Sequence, residues 1–382
     1  MALVVSDEYE PNPDYPPPKA GEPPLHRAAR CGDHDAVRAL VAAGADVNAV
    51  FDMQLDPGGP AMPATPLLVA AGSGDGAGVD TVELLLKLGA APRRKLLGRS
   101  AARFACRGLG FNYRPGGDAS RLRRFLELGC DPDETWHGIT LVAEAAWAGD
   151  PERVRALLRA GANPDPPGTE GGTDHAKTAG LVYYQIPVFL AALEAGTEMI
   201  GMLLDAGADA HVTDKGDHNA LFYAASADVA LLLAGAGVDL EAPDEFGWTP
   251  LVGAMVDGNV ERAAGLLAAG ANVHYTHDRG YTVFMSAVSS PERSIEMMRL
   301  IIGAGADPHA VTELGWNAFH AAVDVNGYEA NTEESVRGTL EFLHRLGVDI
   351  NHRDSHGATP LTRARASGTP IVMRILQELG AQ

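Results

Sequence analysis

Histidines and carboxylates recur at matching places along this sequence. Asp165, His211, Glu241, His274, His309 and Asn351 fall at one corresponding position, and Asp214, Asp244 and His277 stand three residues after three of them. A column of such side chains is the donor set that a metal ion needs, and the same groups serve acid–base chemistry. His274, His277 and His309 are the best metal candidates. A metal-dependent enzyme or metal-binding protein built on His211, Glu241, His274, His277 and His309 is therefore the alternative function. Spacing counts against it. If each histidine comes from a separate turn and the helices behind those turns stack at roughly 8–10 Å, His274 and His309 must lean towards each other to share one ion. No helix carries a His-x-x-x-His pair. The plainer role of the column is to bond the backbone of the next turn, as Asn351 would.

Two other phrases imitate chemistry without its context. Gly72-Ser73-Gly74-Asp75-Gly76-Ala77 has the glycines of a phosphate loop but no strand before it, so it reads as a lengthened turn. His352-Arg353-Asp354 copies a kinase triplet, yet the residue five positions after the Asp is Thr359 where Asn is required. No nucleophile stands beside a base in recognisable form, and no cofactor is implied. Cys31, Cys106 and Cys130 are three cysteines without a CxxC pair, which excludes a disulfide framework and a zinc site of the usual spacing. They are expected to be reduced thiols, and the chain to be cytoplasmic. The start, Met1 to Glu10, lacks the basic flank and apolar core of a secretory signal, and no run of about 18 apolar residues suggests a membrane span.

A second column suits recognition better than catalysis. His218, Trp248, Tyr281 and Trp316 occupy the variable place before a Thr or Asn in four consecutive segments. Aromatic groups with a polar handle are what binding hot spots are made of, and the competing role is to pack on the adjacent turn. Around them stand Asp214, Glu241, Asp244, Glu245 and Glu313. Fifty acidic against thirty basic residues give the chain a formal charge of -20, which repels nucleic acid and steers a basic protein. These nine residues form the expected partner-binding set.

The elements that must position them are repeats. Glycines ending a leucine-rich phrase fall at Gly44, Gly89, Gly129, Gly161, Gly207, Gly237, Gly270, Gly305, Gly347 and Gly380, so the basic period is near 33 residues. A clear copy runs Gly247-Trp248-Thr249-Pro250-Leu251, then Val260 to Leu267, then Gly270-Ala271-Asn272-Val273. Thr caps a first helix with Pro at its first position, small residues such as Ala28, Ala29, Ala145, Ala146, Ala224 and Ala225 let it pack closely, and a second helix follows with apolar residues at helical spacing. Asp150-Pro151 and Ser290-Pro291 read as further cap-plus-proline starts. The closing Gly turns the chain, and a hairpin leads onward.

These phrases resemble the ankyrin-repeat family, whose pattern is Gly-x-Thr-Pro-Leu-His at the first helix and Gly-Ala-Asp-x-Asn after the second. The resemblance covers about residues 23–382, with its His kept as His26 and His320, and weakens around Gly98 to Cys106 and Asp217 to Ala225. It implies an all-α ankyrin-repeat solenoid of about ten helix-turn-helix units joined by β-hairpin-like turns. It further implies a concave groove, lined by hairpin tips and inner helices, that holds another protein. The expected chain is an elongated monomer, an inhibitor or immunity-type neutraliser of a basic partner, without nucleic acid or membrane. Residues 1–22 read as a Pro-rich extended segment ahead of the array. Insertions are expected at 51–62 and 166–185 on the hairpin side, and at 107–119 and 324–334 between paired helices.

Overall fold

The computed structural model describes residues 21–53, 61–73, 78–107, 118–165, 186–193, 196–323 and 332–382. Among them are ten helix pairs. The first five are Pro24–Cys31 with His34–Ala42, Pro66–Gly72 with Val79–Lys87, Ala101–Arg107 with Ala119–Glu127, Leu141–Trp147 with Pro151–Arg159, and Pro187–Leu193 with Thr197–Asp205. The second five are Ala220–Tyr223 with Ala227–Gly235, Pro250–Val256 with Val260–Ala268, Val283–Ser289 with Ile295–Gly303, Ala318–Val323 with Glu333–Arg345, and Pro360–Ala366 with Pro370–Glu378. The chain forms two compact halves. The described residues of one end at Ala208, apart from 196–197, and the other runs from Asp209 to Gln382.

Helix starts follow from hydroxyl caps. Thr65, Thr140, Thr249, Thr282 and Thr359 each accept the amide three residues on, at 3.1–3.4 Å. Pro66, Pro250 and Pro360 take the first helical position, where the missing N–H is no loss. Asp33, Asp150, Ser226, Asn259, Ser294 and Thr332 cap second helices in the same way, and Asp118 accepts the amide two residues on, from Ser120. One expected start is wrong: Ser290-Pro291 precedes a turn, and the helix begins at Ile295 under Ser294. Arg293, at a φ of 43°, breaks the backbone between them. Ser290 instead donates to the Val256 carbonyl at 3.1 Å.

Within each half, first helices pack on first helices and second on second, so the buried layer is continuous along the stack. Alanines dominate the inner row: Ala28, Ala29, Ala145, Ala146 and Ala224 are buried. At Gly265 a Cβ would meet the backbone of Ala227 at 2.6 Å, which makes glycine obligatory there. That close approach accompanies the sixth repeat, whose first helix shrinks to the 3-10 turn Ala220–Tyr223. The third repeat, weak in sequence, keeps its helix. There Arg103, 2% exposed, pairs with Glu134 at 3.2 Å and Glu144 at 2.6 Å in place of the usual apolar contacts.

Short antiparallel ladders join some pairs: Phe51–Met53 with Met62–Ala64, Thr135–Trp136 with Ile139–Thr140, and Thr276–His277 with Tyr281–Thr282. The expected insertion at 51–62 therefore begins and ends as strand, because Phe51 pairs with Ala64 and Met53 with Met62. Arg107 belongs to the helix before the next insertion and Ala119 to the helix after it. Glu333 and Glu334 likewise open a helix of 13 residues capped by Thr332. Of the remaining expectations, the 166–185 insertion and residues 1–20 of the leader lie outside the described residues. So do residues 74–77 of the glycine-rich turn. Glu22, at the leader's end, makes a buried ion pair with Arg30 at 2.9 Å.

Cys31, Cys106 and Cys130 are buried and form no disulfide. Burial pushes the Cys106 thiol up to about 12 and raises that of Cys130, so neither is a ready nucleophile. No helix among the described residues is long and apolar enough to cross a membrane.

Candidate protein-binding site on the hairpins of the second half

Four hairpins of the second half are each closed by one side chain, and the fifth, at Thr276–Thr282, is a backbone ladder. The Asp214 carboxylate accepts the amides of Gly216 and His218 at 2.8 and 3.0 Å. Asp244 does the same for Phe246 and Trp248, and Asp354 for His356 and Ala358. At Thr312 the hydroxyl accepts the Trp316 amide at 3.0 Å. Asp214 and Asp244 are each 6% exposed, so these two members of the expected acidic set are not presented to a partner. Their position two and four residues ahead of the amides they accept makes them turn builders. Glu245 and Glu313 are exposed, while their own amides bond the preceding hairpins at Gly216 and Arg279.

His218 ties two turns together. Its Nδ1 lies 3.1 Å from Asp214 Oδ1 and its Nε2 3.4 Å from Asp244 Oδ2, and Tyr223 donates its hydroxyl to Asp214 Oδ2 at 2.6 Å. The hydrogen bond to Asp214 holds the imidazole above its ordinary pKa, against the effect of burial. Asp214 would be raised by burial, but the bonds from His218, Tyr223 and Gly216 hold it below its ordinary value.

Of the other three aromatic groups, Trp248 and Tyr281 lie on a line of touching rings. Phe246 is 5.8 Å from Trp248, Trp248 is 6.3 Å from His277, and His277 is 5.4 Å from Tyr281. Trp248, Tyr281 and Trp316 are half-buried, not fully exposed as a free surface position would be. Together they line one open cleft of about 480 Å³ with His277, Asp278, Arg279, Thr312 and Leu314. Trp316 is covered on one side by Arg363, whose guanidinium carbon is 4.0 Å from the ring centroid. Asp354 holds that guanidinium at 2.6 and 3.0 Å. Burial acts the other way, yet these bonds and two amides bring the carboxyl down to about 2.

The histidine and carboxylate column is not gathered. Among the described residues, no group of three or more His, Cys, Asp or Glu side chains is placed to hold a metal ion. His274 and His309 are exposed, and His277 meets Ser286 Oγ at 3.0 Å. Burial lowers the pKa of His277. Two members bond the next repeat instead. Glu241 accepts the Asn272 amide at 2.7 Å, and Asn351 accepts that of Gln382 at 2.8 Å.

The pattern that carries these turns is matched by family models. "Ankyrin repeats (3 copies)" covers residues 188–277, and "Ankyrin repeat" covers residues 20–51. The chain carries ankyrin repeats over these residues. Over 78 residues it is 35% identical to the ankyrin repeat, SAM and basic leucine zipper domain-containing protein 1 of Notamacropus eugenii, over 20% of this chain. It thus spans only 16% of that relative's length. An ankyrin repeat domain from Acinetobacter baumannii AYE, known as a crystal structure, matches at 25% identity and a TM-score of 0.40 over 51% of this chain and 98% of that one.

Ankyrin repeats are in general protein–protein interaction modules, and here their retained histidines are structural. His26 Nε2 meets the Ala64 carbonyl at 3.1 Å, and His320 Nε2 meets that of Ala358 at 3.2 Å. Sequence reasoning missed a set of buried arginines that join successive ankyrin repeats. Arg121 donates to the carbonyls of Ala70 and Ser73, both at 2.7 Å, Arg153 donates to that of Cys106, and Arg262 to that of Phe222. The available signal was an Asp or Asn cap three residues earlier, at Asp118, Asp150 and Asn259.

Proposed function

We propose that this chain is a protein-binding module whose contact face is the hairpin row of the second half, with Trp248, Tyr281 and Trp316 as anchors. The observation that carries the proposal is the single cleft lined by those three rings, each from a different repeat. Half-buried aromatic groups around an open cleft have the character of interface hot spots, because they add buried area at small entropic cost. Exposed Phe246 and Val311, at 66% and 50%, extend the apolar surface beside it. Glu241, Glu245 and Glu313 belong to the surrounding acidic rim, and His218 supports the hairpin that presents Trp248.

The partner is a protein with a basic face, since the chain carries a formal charge of -20. On this reading the chain acts as an inhibitor or immunity-type neutraliser by covering that face. The test is affinity capture from the native host with the wild-type chain and with the Trp248→Ala/Tyr281→Ala/Trp316→Ala variant side by side. A basic protein retained by the first and lost from the second is expected. The same protein retained equally by both would remove the cleft from the account.

A further inference from the structure

We infer that the cleft is the receptacle for an arginine side chain of the partner. This rests on the reading that the hairpin face binds a protein, and it names the group that enters. The argument comes from one position in successive repeats, nine residues after the hairpin position held by Asp214, Asp244, His277, Thr312 and Asp354. Tyr223 stands there for Asp214 and Arg363 for Asp354, and both reach back to the carboxylate. In the three repeats between, the position holds Gly253, Ser286 and Ala321. At that position the chain thus supplies no long side chain beside the aromatic cleft.

The last repeat shows what suits such a place. Arg363 lays its guanidinium on the face of Trp316 at 4.0 Å while Asp354 binds its edge. A second such pair, Arg99 on Trp136 at 3.9 Å, occurs in the first half. A planar, weakly hydrated guanidinium stacks on aromatic faces better than an ammonium does, and the remaining N–H groups need carboxylate or carbonyl acceptors. Asp278 lies in the cleft wall, with Glu245 and Glu313 exposed on neighbouring hairpins. Arg279 also lines the cleft, next to Asp278, so the adjoining side chains offset each other and the excess at the rim is negative. His277 adds no positive charge at neutral pH, because burial favours its neutral form.

The probes are N-acetylarginine amide, N-acetylcitrulline amide and N-acetyl-lysine amide, titrated into the full chain while indole resonances are followed. Arginine amide is expected to bind at least tenfold more tightly than the isosteric, uncharged citrulline amide, and more tightly than lysine amide. Trp248→Ala should lower that affinity at least tenfold, and Trp248→Phe, which keeps a ring, should recover part of it. Equal binding of arginine and citrulline amides, preference for lysine amide, or binding that survives Trp248→Ala would overturn the inference. The underlying reading fails separately. If the triple alanine variant loses a captured protein while arginine amide shows no preference, the face binds proteins without a guanidinium anchor.

Discussion

His218 is the residue whose protonation the second half uses. Only the imidazolium can donate to Asp214 and Asp244 at once, and Asp244 Oδ2 is held by that ring while Oδ1 takes two amides. Its pKa is raised in the folded chain, so its contribution is complete below the ordinary value of about 6.5 and is lost as pH rises through the folded value. Burial lowers His26, His277 and His320, which act in the opposite sense and withdraw stability as pH falls below about 6.5. The two effects separate by comparison with His218→Gln. The melting-temperature difference between wild type and variant is expected to be largest near about pH 6 and to shrink towards about pH 8. A difference constant over that range would show that the ring acts by shape alone.

At the level of helices, the buried arginines make a sharper prediction than the caps do. Arg121→Ala leaves the carbonyls of Ala70 and Ser73 without their charged donor and Asp118 without its cation at 3.1 Å. The cost should be about 3 kcal/mol, the scale for breaking a buried charged hydrogen-bond set, against under about 1 kcal/mol for an exposed pair such as Arg38 with Asp35. Chemical denaturation of the two alanine variants measures both, and equal losses would contradict the assignment. These arginines were invisible in the sequence because an Asp-x-x-Arg start reads as a surface ion pair until the facing carbonyls are in place. Caps and closing glycines were legible because each acts within four residues of itself. The failed start at Ser290-Pro291 had the right local chemistry and was overridden by the turn at Arg293. The aromatic column was legible as a position, but its common cleft was not, since that needs the hairpins of three repeats side by side. Asp214 and Asp244 were misread for a related reason: a carboxylate that builds a turn has the same sequence signature as one that faces solvent.

For the whole molecule, charge and anchors act on different steps. A chain of formal charge -20 should associate with a basic partner at a rate that falls as ionic strength rises, because exposed charges are screened beyond about 10 Å at about 0.1 M salt. A rate indifferent to salt would remove the electrostatic part and leave the rings. The rings should govern dissociation instead. The most direct measurement is the affinity for the captured partner together with the melting temperature of Trp248→Ala and Tyr281→Ala. Each substitution is expected to weaken binding by about 2 kcal/mol or more, roughly thirtyfold, with melting shifted by only a few degrees. Trp316→Ala should lose both, because Arg363 stacks on that ring. Unchanged affinity with a large fall in melting temperature at Trp248 and Tyr281 would mean that these rings only brace the hairpins, and would contradict the proposed binding face.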